Sequence, residues 1–208
     1  MFRSYVILIV GILFFAPMAL RSQSHVNAGV SMGPEGVQGF YFAIGQYYHV
    51  PEREVIVVHE RQIPDEEVPV VFFIARKAHV APSAVMDLRL AGKSWWDITI
   101  HYGLGPEIFY VPVEVDPGPP YGRAYGYYKH HPRKQWRSVV LTDPEVIDFV
   151  NLRFTSDHYG YRPEEVIRMR SGGRSFVDIH DEIRKDKGDK GEKHGWGKGK
   201  GKGKGHKK

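Results

Sequence analysis

The feature that most constrains this chain is a pattern of seventeen residues that occurs twice at a constant offset of 81. Pro82, Val85, Arg89, Gly92, Ser94, Asp97 and Ile98 return as Pro163, Val166, Arg170, Gly173, Ser175, Asp178 and Ile179. Met86 is answered by Ile167 and Trp95 by Phe176. So many residues with defined backbone roles in one register mark an internal duplication. Proline suits a first helical turn, and Val85, Met86 and Leu88 form an apolar stripe. Gly92 can take the left-handed conformation that ends a helix. Ser94 and Ser175 then cap a second helix, with Asp97 and Asp178 three positions on, close to a capping box. The unit is an αα-hairpin, and Trp95 and Phe176 are placed to fill the groove between its helices.

Each hairpin has a leading helix. One begins after Pro64 and runs through Val70, Phe72, Phe73 and Ile74 to Lys77, with Pro69 tolerable in its first turns. The other opens on Thr142 or Asp143 with Pro144 early, and Val146, Ile147, Phe149, Val150 and Leu152 spaced for burial. The two halves therefore span about 64–104 and 142–183, three helices each. A degenerate extra hairpin lies near 50–77, with Gln62 where the glycine stands in the full copies, and another begins at Leu104-Gly105-Pro106. Fold class is mainly α: duplicated helix-turn-helix units in one helical domain over 29–183.

Between the halves, residues 111–137 are dense in Pro, Gly and Tyr and read as a long irregular connection whose tyrosines pack on the body. Trp96, Tyr121, Tyr125, Tyr127 and Tyr128 are the candidate ligand contacts. His49, His79 and Tyr159 stand shortly before the repeat prolines and read as junction packing.

The first 28 residues have the three-part layout of a secretory signal: Arg3, an apolar run from Tyr5 to Leu20, then a polar stretch to Val26-Asn27-Ala28. Cleavage after Ala28 leaves no stable membrane span, since the run falls short of the roughly 20 residues a spanning helix needs. Periplasmic or secreted location follows. The chain has no cysteine, which excludes disulfide staples, a cysteine lipid anchor, thiolate metal sites and thiol catalysis.

Charge divides along the chain. Residues 184–208 hold 11 basic and 3 acidic residues, whereas 29–183 hold 16 basic against 21 acidic. The acidic body thus carries a cationic Lys/Gly-rich tail, predicted to be disordered because it has little apolar surface to bury. Lys198, Lys200, Lys202, Lys204, Lys207 and Lys208 would bind polyanions by counterion release.

No catalytic constellation stands out. His59-Glu60 lacks the second histidine of a zinc-protease helix, and neither a Gly-x-Ser-x-Gly elbow nor a phosphate-binding loop occurs. His130-His131 are adjacent, so their side chains diverge, and no metal or cofactor is expected. Glu66-Glu67, Glu164-Glu165 and Asp181-Glu182 read as helix-end or solvated carboxylates.

The run Leu88 to Ile98, with glycine in its turn, resembles DNA-binding helix-turn-helix sequences. That resemblance implies a recognition helix, yet this one offers Trp96, Asp97, Thr99 and His101 rather than base-reading Arg, Lys, Asn or Gln. Specific nucleic acid binding is therefore not expected. The expected function is a non-catalytic binding or scaffold protein of the bacterial envelope or extracellular space. Its body takes a protein or glycan, and its tail associates with an anionic envelope polymer. The alternatives are a helix-turn-helix nucleic-acid binder, if the chain is not exported, and an enzyme whose site is assembled only by the fold.

Overall fold

The computed structural model describes residues 34–114, 116–119 and 121–195. Residues 1–28, expected to be an export signal, and the lysines from Lys198 to Lys208 lie outside the described residues. Nine α-helices and three short 3₁₀ segments make up the described chain, which contains no strand. In order, the helices are α1 (Pro34–Tyr48), α2 (Glu52–Glu60), α3 (Val68–Ala78), α4 (Pro82–Leu90), α5 (Trp95–His101), α6 (Gly122–His130), α7 (Asp143–Tyr159), α8 (Pro163–Ser171) and α9 (Phe176–Gly195).

The elements repeat at the offset of the sequence pattern. Helix α4 maps onto α8 at both ends, α5 and α9 start in register, and α3 and α7 end in register. Local chemistry explains the boundaries. Ser94 Oγ accepts from the Asp97 amide, Ser175 Oγ from the Asp178 amide, and Thr142 with Glu145 forms a capping box at α7. Gly92 and Gly173 have φ of +84° and +83°, where a Cβ would be strained. In the degenerate hairpin Gln62 takes the same conformation at +66°. His49 and His79 are likewise left-handed, and both are exposed at helix ends. The counterpart of His79 in the second half is Gly160 at +74°, one residue after Tyr159. These two histidines are thus turn-formers rather than packing residues.

Helices α3 and α7 pack on each other at the centre. Every residue of α3 from Val68 to Ala75 is buried, and α7 buries residues around its whole circumference. The apolar run of α3 belongs inside, covered by others, and the buried polar residues of α7 are held by partners such as Arg123 on Glu145 and Arg170 on Asp148. Helix α7 also touches α1, α5, α8 and α9, so one core extends through both halves. Trp95 and Phe176 are fully buried in it.

The halves are cross-braced by the two repeat arginines. Arg89 binds both carboxylate oxygens of Glu67, at 2.8 and 2.9 Å, together with Asp143 at 2.6 Å and the Lys93 carbonyl at 3.1 Å. Arg170 binds Asp148 at 3.0 Å, Glu66 at 3.4 Å and the Arg174 carbonyl at 2.8 Å. Each guanidinium also lies over the aromatic ring that opens the next helix, Trp95 or Phe176. Glu67 and Asp148 belong to the arginine's own half and are related by the offset of 81, whereas Asp143 and Glu66 come from the opposite half. Those crossing carboxylates also accept the backbone amides of Trp95 and Phe176, at 2.7 and 2.5 Å. Burial pushes the Asp148 carboxyl above its ordinary value, against the pull of Arg170. Glu66 and Glu67 are therefore internal partners, not solvated helix-end charges.

Residues 111–137 are more regular than expected. They contain α6 and a 3₁₀ helix over Arg133–Ser138. Tyr121, Tyr125 and Tyr128 lie at helical spacing and pack against Phe149 of α7. That inward stripe outweighs the weak helix propensity of Gly122 and Gly126. Helix α9 runs beyond residue 184 to Gly195, because Ile183 is buried and Asp181 pairs with Arg184 and Lys185 one turn on.

Truncating Arg89 strands Glu67, whose side chain is 12% exposed, so Arg89→Ala is expected to destabilise the protein by about 3 kcal/mol. Arg61→Ala, which breaks the exposed pair with Asp87, should cost under about 0.5 kcal/mol. Urea denaturation of both variants checks this; equal losses would contradict it.

Candidate functional site

Helix α1, which carries none of the repeat residues, forms one wall of an open cleft. Gln38, Phe42 and Gln46 recur every four residues on its exposed face, and Gly39 and Ala43 lie beside them. Opposite stand His158 and Tyr159 from the end of α7, and His180 and Arg184 from α9. Glu52, at the start of α2, completes a cleft of about 600 Å³ open to solvent. Phe42, 53% exposed, is a large apolar side chain offered to whatever enters.

Gly39 is what lets α9 approach α1. A Cβ there would sit 3.0 Å from His180 Nε2 and 3.6 Å from Arg184 Nε. His180 is 3% exposed, its Nδ1 hydrogen-bonded to the Tyr159 hydroxyl and its ring edge-on to Phe40 at 5.7 Å. Nε2 is buried without a hydrogen-bond partner. Burial lowers the His180 pKa to about 4, Arg184 lowers it further, and Asp181 opposes the shift. Burial raises the Tyr159 hydroxyl well above its ordinary value. The contact is therefore a neutral imidazole against a neutral phenol. With one nitrogen engaged and the other sealed against Gly39, His180 is placed as a wall of the cleft rather than as a base within reach of a bound molecule.

None of the contact residues expected from sequence borders this cleft. Tyr121, Tyr125 and Tyr128 are buried, which removes them as ligand contacts. The Tyr125 hydroxyl donates to the Val111 carbonyl at 2.6 Å and the Tyr128 hydroxyl to that of Pro106 at 3.0 Å. Tyr127 is half-buried and stacks on His131 at 4.0 Å. Trp96 is half-buried on α5, beside the fully buried Trp95. The residues that do line the cleft were signalled only by the four-residue spacing of Gln38, Phe42 and Gln46. Among the described residues no three His, Asp or Glu side chains converge as a metal-holding group, and no helix is long and apolar enough to cross a membrane.

The helix that the DNA-binding resemblance would make a recognition helix is α5. It buries Trp95, Ile98 and Thr99 and exposes Asp97, Ile100 and His101. That face bears no amide or guanidinium for base edges. No protein-family model, curated protein or solved structure matches this chain.

The depressed His180 pKa gives stability a pH dependence with a definite sign. The unfolded chain takes up a proton near pH 6.5 and the folded one only near pH 4, so stability present above about 6.5 is lost as pH falls to 4. The loss should approach roughly 3 kcal/mol. His180→Phe should flatten this interval of the stability profile, and Gly39→Ala should destabilise by about 1 kcal/mol at neutral pH through overpacking. Denaturation midpoints between pH 4 and 7 test both; an unchanged profile in His180→Phe would refute the assignment.

Proposed function

We propose that this chain is an exported, non-catalytic binding protein of the bacterial envelope or extracellular space. Its helical body takes a ligand in the cleft between α1, α7 and α9, and its lysine-rich end associates with anionic polymer. The observation that carries the reading is the state of His180. The buried imidazole of His180 has no nitrogen free to abstract a proton, while amide, aromatic and charged side chains form the accessible walls. Such walls orient and hold a molecule.

Two further features support the reading. The layout of residues 1–28 is that of an export signal. Residues 196–208 carry six lysines and no acidic residue, immediately after a helix whose first two turns are anchored in the core. A charged segment on so firm a base suits a tether, because contacts along the polymer need not deform the body. The exposed face of α5, which offers Asp97, Ile100 and His101 and no amide or guanidinium, counts against the nucleic-acid alternative. An enzyme is the second reading, favoured by His158 and Glu52 at the rim of the same cleft.

The tail part of the proposal is tested by deleting residues 196–208 and measuring adsorption to an anionic polymer matrix across a salt series. The full chain should bind with a steep salt dependence. Each of the six lysines lost is expected to reduce the logarithmic slope by about 0.7–0.9. Adsorption and slope that survive the deletion would rule out the tether.

A further inference from the structure

A second groove lies on the far side of the connection, between the 3₁₀ turn Pro106–Ile108 and the 3₁₀ helix Arg133–Ser138. Its volume is about 500 Å³, and Glu107, Tyr110, Arg133, Lys134, Trp136 and Arg137 line it. In a 3₁₀ helix residues three apart eclipse one another. Lys134 and Arg137 therefore share one face and Arg133 and Trp136 another. The floor is fixed: Trp136 Nε1 donates to the carbonyls of Tyr128 at 3.1 Å and His131 at 2.9 Å, and its ring lies 4.7 Å from Tyr110 and 4.8 Å from Tyr128. Arg153 holds the Tyr110 carbonyl at 2.7 Å.

The cations above that floor are treated unlike the two repeat arginines. Arg89 and Arg170 are saturated by internal carboxylates. Here three cations face one carboxylate, Glu107, which approaches Arg137 only to 3.9 Å with the arginine side chain 82% exposed. An ion pair so long and so exposed contributes little to folding. Arg133 spreads over the Trp136 ring at 5.4 Å, which pre-orders its guanidinium without using its donors. On a body of net negative charge, this is a local excess of ordered positive charge beside an aromatic floor.

We infer that this groove binds acidic saccharide units. The acid group would be held by Arg133, Lys134 and Arg137, and the apolar face of the sugar ring would rest against the half-buried Tyr110, which Trp136 supports from beneath. The shared chemistry is an oxyanion on a pyranose, either carboxylate or sulfate. Glu107 is the internal competitor that such an anion displaces. A single aromatic floor favours a sugar over nucleic acid, which uses successive stacking platforms. The inference deepens the polyanion part of the proposed function by giving the body its own site, independent of the tail.

The test uses the full chain and short probes in calorimetry at fixed ionic strength: a trigalacturonate, its methyl ester, a sulfated trisaccharide and an oligonucleotide of equal charge. The trigalacturonate or the sulfated sugar should bind, which identifies the acid group, and the methyl ester should not. Replacing Lys134 and Arg137 together by Gln should weaken that binding at least about tenfold. Glu107→Gln should strengthen it severalfold, which mere loss of structure would not do. Replacing Lys198, Lys200, Lys202 and Lys204 by Gln should leave the short probe's affinity unchanged. If neither sugar binds, or binding is lost with the tail lysines but not with Lys134 and Arg137, the groove assignment falls while the tail proposal stands. If the oligonucleotide binds as tightly as either sugar, the ligand class is wrong. Groove binding with no tail-dependent adsorption would leave this inference standing and the tether rejected.

Discussion

The rest of the structure depends on two partly buried arginines that each join carboxylates from both halves of the duplication. Arg89 holds Glu67 of its own half and Asp143 of the other; Arg170 holds Asp148 of its own half and Glu66 of the other. A guanidinium taken from water must have its donors satisfied, and a carboxylate beside it must be paired, or the desolvation is uncompensated. The same crossing carboxylates receive the first amides of α5 and α9, which a helix leaves without internal partners. One set of charges therefore closes each hairpin turn, starts its second helix and binds it to the opposite half. Neither half can satisfy its own arginine alone, which is why a repeated sequence yields one core.

The proposed binding surfaces are consequences of that bracing. Because Phe176 is pinned at the start of α9, the helix crosses α1 at Gly39, buries His180 there and leaves the cleft between them. Beyond Ile183 it leaves the core and leads toward the lysine-rich end. The connection between halves is held by Tyr121, Tyr125 and Tyr128 against α7, so Arg133, Lys134 and Arg137 at its end are displayed on a rigid base. The two repeat arginines are thus consumed inside, while Arg133, Lys134 and Arg137 gather at one groove.

Much of this architecture was legible because the repeat residues have backbone meaning. Proline, glycine and serine specify a helix start, a left-handed turn and a cap at stated positions, and Thr142, Ser94 and Ser175 act as their spacing implies. Arg89 and Arg170 were visible as repeated residues, but their partners were not: Asp143 lies 54 residues from Arg89, and Glu66 lies 104 from Arg170. Without those contacts, Glu66 and Glu67 look like ordinary helix-start acids. Tyr121, Tyr125 and Tyr128 are expected from sequence both to pack on the body and to offer ligand contacts, because Gly and Pro around them suggest a loop; their four- and three-residue spacing is helical, and the structure buries all three. The cleft was hidden because Gly39 and His180, 141 positions apart, acquire meaning only when α9 lies across α1.

The central claim, that the exchanged carboxylates make the halves one cooperative unit, is tested most directly by native-state hydrogen exchange at the amides of Trp95 and Phe176. Each bonds to a carboxylate of the opposite half. Both amides are expected to exchange only through global unfolding, with the same free energy of opening, equal to that measured by denaturation. If one opens at a distinctly lower free energy while the other keeps the global value, the halves unfold independently and the account of cross-bracing is wrong.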